Sequence, residues 1–187
     1  YFIRHRGEDV GLVKVHPIGA ITKGEDGEQL ADIGGMKKQG VVALSDDGKS
    51  VANSKVMRFA MEYASNFGLT CLCHCEDKEL VDGGVVNEGY SSTLTGLKGI
   101  PRAAEDIMIA RDICLAQSLD LPVHICHVST YSGVQLIRAA KQNGVKVTAE
   151  TCPHYYAVTD SIIESFDSNT KVNPPIREEI DRLAIVE

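Results

Sequence analysis

Leu69-Thr70-Cys71-Leu72-Cys73-His74-Cys75-Glu76-Asp77 opens as a short apolar run and ends in a histidine followed by two acids. A run that is small and apolar and then abruptly polar reads as a buried strand with chemistry at its carboxyl end. Parallel sheets, open or closed, place their sites at that end. Two further segments repeat the pattern. Gly40-Val41-Val42-Ala43-Leu44 runs into Ser45-Asp46-Asp47-Gly48, and Leu121-Pro122-Val123-His124-Ile125-Cys126 runs into His127-Val128-Ser129-Thr130. Three strands in chain order thus deliver an aspartate, a histidine and a histidine to one rim.

Outward from these segments, strands and helices alternate. Residues 11–18 are expected as a first strand, with Pro17 near its exit, where a missing N–H is tolerated. Residues 28–39 read as a short helix interrupted or ended at Gly34-Gly35. Residues 53–67 form a better one, with Val56, Ala60, Tyr63, Ala64 and Phe67 on one stripe and Gly68 as its stop. Residues 78–99 are rich in glycine and serine, and read as a long functional loop. Pro101 opens a helix whose stripe is Ala103, Ile107, Ala110 and Cys114. Residues 132–143 are helical, presenting Gly133, Leu136, Ile137 and Ala140, and residues 145–150 are a fifth strand leading to Cys152-Pro153-His154. Helix and connection follow over residues 160–167 and from 177 onward. Residues 2–10 are polar and basic and give no assignable pattern.

Such alternation predicts an α/β fold, a parallel sheet with right-handed crossovers. About five βα units are present, too few to close an eight-stranded barrel. Residues 1–187 therefore read as one domain or a piece of one. The start at Tyr1 and the helix running to Glu187 give the expectation that both ends lie inside a larger domain.

A formal charge of −7 argues against a nucleic-acid footprint and against anionic membrane surfaces. No apolar run approaches the roughly 20 residues of a membrane span, and no signal-peptide pattern is seen. Cys71, Cys73 and Cys75 alternate along one strand and cannot easily pair with one another; Cys114, Cys126 and Cys152 sit in elements expected to be buried. Reduced core cysteines in a cytoplasmic protein are the expectation.

The candidate metal ligands are Asp47, His74 and His127. Imidazole is the commonest metal ligand, and a carboxylate beside two of them makes a site that suits zinc. His124 and His16 are expected to be hydrogen-bonded structural residues. Of the two adjacent aspartates, Asp46 is taken as the turn or helix cap. Glu76 and Asp77 are either a solvated pair or a loop cap, and His154 either orients a neighbouring strand or faces the site.

At these residues the sequence resembles the dihydroorotases, and more closely their bacterial class I form within the amidohydrolase superfamily. The resemblance is carried by Ser45-Asp46-Asp47-Gly48, His74-Cys75-Glu76-Asp77, Asn87-Glu88-Gly89, Gly99-Ile100-Pro101 with Glu105, His127-Val128-Ser129-Thr130, Thr148-Ala149-Glu150 with Pro153-His154, and Asn173-Pro174-Pro175-Ile176-Arg177 with Asp181-Arg182. It runs in order from about Val13 to Arg182.

The resemblance implies a (β/α)8 barrel of the metal-dependent hydrolase type, one or two zinc ions, and reversible interconversion of N-carbamoyl-L-aspartate and L-dihydroorotate in pyrimidine synthesis. It places Asp47 on the family's fourth strand, His74 and His127 on its fifth and sixth, and makes Asn173 a substrate contact favouring dihydroorotate over hydantoin. Glu150 is a candidate for orienting the histidines. The family's His-x-His pair would precede Tyr1 and its proton-shuttling aspartate would follow Glu187. No catalytic residue is therefore assigned within the chain, which alone is expected to be inactive and to bind zinc weakly. Two alternatives stay open: a hydantoinase- or allantoinase-like amidohydrolase, and a non-catalytic scaffold for aspartate transcarbamoylase. Expected partners are a small-molecule substrate and either a second copy or that transcarbamoylase.

Overall fold

Burial alternates along the central strands, and that alternation gives the sheet two unlike faces. The computed structural model describes residues 1–187. Five parallel strands, β1 (Ile18–Gly19), β2 (Ala43–Leu44), β3 (Cys71–Cys73), β6 (Val123–Ile125) and β7 (Val147–Ala149), stand in the order β1-β2-β3-β6-β7. Their register sets Gly19, Leu44, Cys71, Val123 and Val147 side by side. All five are buried, so this row lies on the helix-covered outer face. Ile18, Leu72, His124 and Thr148, one step out of phase, are more exposed and line the opposite, inner face. This is part of a (β/α) barrel, as the alternating pattern predicts.

The outer face is covered by α3 (Ser54–Ser65), α6 (Ala103–Leu119) and α7 (Tyr131–Gln142). Asn53 caps α3 by accepting from the N–H groups of Lys55 and Val56, and Thr130 caps α7 by accepting from Gly133. Helix α7 buries Gly133, Ile137 and Ala140 of its expected face, with Leu136 at the margin. On α3 the core side is Met57, Ala60, Met61 and Ala64, so Tyr63 of the expected stripe stands at the edge, partly exposed.

Helix α6 corrects its expected stripe outright. It buries Ala104, Glu105, Met108, Ile109, Asp112, Ile113 and Ala116, while Ile107 and Cys114 are exposed. Two acids occupy the buried face because each has partners there: Ser129, Thr130 and Arg177 around Glu105, and Arg111 and Cys75 around Asp112. Apolarity alone cannot pick out such a face.

Three further expectations need correction. Residues 11–17 are not a strand: Leu12 and Val13 are exposed, and β1 begins only at Ile18, with β2 as its single neighbour. Helix α1 (Phe2–Val10) precedes them, ending at Gly11 with φ 68°. Gly34 and Gly35 sit inside α2 (Ile33–Lys38), because Asp32 caps it through the Gly35 N–H at 2.9 Å. Residues 78–99 are no structureless loop but hold α4 (Lys78–Val81), β4 (Val86–Asn87), α5 (Tyr90–Thr95) and the start of β5 (Gly99–Ile100), with β4 and β5 paired in parallel.

Beyond β7 come α8 (Pro153–Ala157), 3-10 turns and α9 (Glu179–Val186). Arg102 ties this end to α6, meeting Glu178 at 2.6 Å and Asp181 at 2.7 Å. No helix is long and apolar enough to cross a membrane.

Candidate metal centre

Strand pleating decides which residues reach the inner face. Past Leu44, Ser45 and Asp47 turn inward while Asp46 turns outward; past Cys73, His74 turns inward while Cys75 turns outward. Asp46 is accordingly buried, accepting hydrogen bonds from the N–H groups of Ile21 (2.7 Å) and Thr22 (3.1 Å) and from the Thr22 hydroxyl. It clamps the chain leaving β1 to the end of β2, while its carbonyl accepts from the Lys49 N–H at 2.8 Å and closes the expected turn; it caps no helix. Cys71, Cys73 and Cys75 are free thiols buried on the outer side, and burial pushes Cys71 up to about 12.

His127 breaks the pleating rule. Two residues past Ile125, it would point outward on a regular strand, yet its backbone is left-handed, φ 40°. That turn brings the ring inward, a strained arrangement of the kind that collects at functional sites. The Glu150 carboxylate accepts from the His127 N–H at 2.8 Å and holds the turn.

Asp47, His74 and His127 meet. His74 Nδ1 lies 2.9 Å from His127 Nε2, and Asp47 Oδ1 lies 3.4 Å from His127 Nε2 and 3.6 Å from His74 Nδ1. Donors about 2.0–2.1 Å from a tetrahedral ion stand roughly 3.3 Å apart. The three edges straddle that value. His127 Nδ1 is buried without a hydrogen-bond partner. Two imidazoles and a carboxylate so placed fit a divalent cation.

The His74 side chain is almost wholly buried, while that of Asp47 is 70 % exposed and forms the open lip. Glu76 Oε2 approaches His74 Nε2 to 3.5 Å. This imidazole first, and the Asn173 side chain after it, hold the Glu76 carboxyl below its ordinary value against the opposing effect of burial. His74 Nε2 makes no hydrogen bond at this distance, but the nearby carboxylate favours an N–H on Nε2, which leaves the Nδ1 lone pair directed at the triangle. Ser50 anchors the rim from behind, donating to the His74 carbonyl at 2.6 Å and accepting from the Glu76 N–H at 2.8 Å.

Of the remaining expected residues, Asn173 reaches the rim through Glu76. Asp77 caps α4. His154 faces the site: burial and then the neighbouring His127 lower its pKa, and its Nε2 has no hydrogen-bond partner. His124 bonds Thr148 Oγ1 at 2.8 Å, whereas His16 is exposed. Sequence reasoning passed over Ser50 and the bridging position of Glu76. The only signal for Glu76 was its adjacency to His74-Cys75.

The sequence pattern of the Dihydro-orotase-like family matches residues 2–132. The chain is 54% identical over 186 residues to a dihydroorotase of Acetivibrio thermocellus, covering all of this chain and 44% of that protein. It is 53% identical, with the same coverage, to a dihydroorotase of Ruminiclostridium cellulolyticum. The chain thus spans less than half the length of these curated relatives. Among solved structures it is similar to the L-hydantoinase (dihydropyrimidinase) of Arthrobacter aurescens, with TM-score 0.73 and 20% identity over 91% of this chain and 39% of that one.

Proposed function

Because the chain belongs to the dihydroorotase-like family, we propose that residues 1–187 are part of the barrel domain of a zinc-dependent cyclic amidohydrolase that interconverts N-carbamoyl-L-aspartate and L-dihydroorotate. The observation that carries this reading is the triangle of Asp47, His74 and His127, three donors from three successive strands of one sheet with edges of 2.9, 3.4 and 3.6 Å.

In this reading the three residues hold one zinc ion. A cation bound there supplies Lewis acidity, bringing water nearer to ionisation at neutral pH and polarising a ring carbonyl. Glu76 keeps His74 in the tautomer whose Nδ1 lone pair faces the triangle. Asn173, exposed at the rim and tied to Glu76, offers an amide donor and acceptor that match the carbonyl and N–H groups of a cyclic ureide. His154, whose pKa burial and then the neighbouring His127 lower, adds a polar edge beside His127. Proton transfer to the leaving nitrogen is not assigned to any residue of this chain.

The test is turnover by a polypeptide carrying residues 1–187 within the full length of the relatives. Dihydroorotate hydrolysis that requires zinc and is lost in Asp47→Asn, His74→Ala and His127→Ala supports the proposal. Turnover of hydantoin without dihydroorotate would replace it with a hydantoinase-like reading. Intact zinc binding without turnover, together with capture of aspartate transcarbamoylase, would replace it with a scaffold.

A further inference from the structure

Three side chains on the inner face lie outside the Asp47–His74–His127 triangle and form a second group. His124 and Cys126 are two residues apart along β6 and its extension, so pleating sends both inward, opposite to the buried Val123 and Ile125. The β6–β7 register sets His124 beside Thr148 and Ile125 beside Ala149, and the Glu150 N–H donates to the Ile125 carbonyl at 3.1 Å. Glu150 therefore stands beside Cys126 on the neighbouring strand. A ring nitrogen of His124, the Cys126 sulfur and a Glu150 oxygen lie within 4.8 Å of one another. The Thr148 hydroxyl on His124 Nδ1 sets the ring's orientation.

We propose that His124, Cys126 and Glu150 form a second cation site, one that takes a thiophilic divalent ion such as cadmium or mercuric ion. The Asp47–His74–His127 triangle offers only nitrogen and oxygen, so the sulfur of Cys126 makes the second group the softer of the two. On binding, the Cys126 S–H bond breaks, its proton passes to water, and the thiolate sulfur donates its electron pair to the cation. Neither an oxidant nor a reductant is needed. Of the other thiols, Cys71, Cys73 and Cys75 are buried on the outer side and Cys114 lies on the exposed side of α6, while Cys152 neighbours Cys126 but stands outside the group of three. Glu150 belongs to both groups, because its Oε1 already accepts from the His127 N–H. A soft ion that draws on Glu150 therefore loosens His127, and occupancy of the second site weakens the first. The site is independent of which ring the first centre acts on.

Cadmium titration of the protein, followed by the ultraviolet cadmium–thiolate charge-transfer band, tests the assignment. One thiolate-bound cadmium per chain is expected, retained in Asp47→Asn and in Cys152→Ser, weakened about tenfold in His124→Gln, and lost in Cys126→Ser. Absence of the band from the unsubstituted protein, or its survival in Cys126→Ser, overturns the proposal. A second measurement needs no variant: cadmium should protect Cys126 from alkylation, read by peptide mass spectrometry, while Cys152 stays reactive. Equal reactivity of Cys126 with and without cadmium likewise overturns it.

Discussion

Glu150 Oε1 sits 2.8 Å from the backbone nitrogen of His127, the residue of the metal triangle whose backbone is left-handed. A non-glycine residue held in that region costs on the order of 1–3 kcal/mol unless its surroundings compensate. The Glu150 carboxylate provides a charge-assisted bond at the strained residue itself. Glu150→Ala should therefore weaken zinc binding about 10–100-fold, and Glu150→Gln, which keeps an acceptor, should restore most of it. Competition with a chromophoric chelator measures both. Unchanged affinity in Glu150→Ala would detach this carboxylate from the metal centre.

Zinc should stabilise the chain by an amount that grows with the logarithm of its concentration above Kd. A ligand that binds only the folded state at a hundred times its Kd adds about 2.7 kcal/mol. Urea unfolding should show a gain of that order on zinc addition, reversed by chelator and absent in His127→Ala. A chelator-insensitive midpoint would mean that the three donors do not grip the ion in the folded state.

The sequence made the inner rim legible where strands obey pleating. Asp47 lies three residues past Leu44 and His74 one past Cys73, odd steps from outward-facing residues that put both on the inner side. His127 was reached by its residue type, since the same counting points it outward and only its left-handed backbone corrects that. Helix faces divided the same way. Helix α7 buries small and apolar residues, so its stripe could be read; α6 buries Glu105 and Asp112, whose compensating partners come from strand ends and from Arg177, far along the chain. The strand expected at β1 is too long, because residues 11–16 have no neighbouring strand to pair with. Residues 78–99 look like loop composition yet fold around the short β4–β5 pair.

Asp112 should leave a signature in the pH dependence of stability. Burial raises its carboxyl pKa above the usual 3.8, with the adjacent Arg111 only partly offsetting the effect. Between 3.8 and the raised value the folded chain holds a proton that the unfolded chain has lost, so stability falls as pH rises through that window. Asp112→Asn removes this contribution. The difference in urea midpoint between variant and parent should therefore move in favour of the variant as pH increases from about 4 toward neutrality. A difference that stays flat across that range would show that Asp112 titrates alike in both states.

Glu105 and Arg177 supply the last expectation, and it concerns how the His127 loop is held from beneath. Their side chains are both 3 % exposed and lie 3.6 Å apart. Glu105 accepts from the N–H groups of Ser129 (2.8 Å) and Thr130 (3.2 Å) and from the Ser129 hydroxyl. Arg177 Nε donates to Ser129 Oγ at 3.1 Å, and its Nη1 to Asn87 Oδ1 and to the Ile100 carbonyl, each at 3.0 Å. The pair therefore fixes the two residues just past His127-Val128 while joining α6 to the segment before α9. Removing one member leaves the other as an uncompensated buried charge, a loss of about 3–5 kcal/mol, whereas replacing both by apolar groups of similar size is far less costly. Glu105→Leu and Arg177→Met should each lower the urea midpoint sharply, and the double variant should fall by much less than the sum of the two. Because the backbone donors of Ser129 and Thr130 still lose their acceptor in the double variant, its zinc affinity should remain below that of the parent even where stability recovers. Additive losses in stability would mean that the two charges are compensated independently. Full recovery of zinc affinity would mean that the loop holds His127 without Glu105.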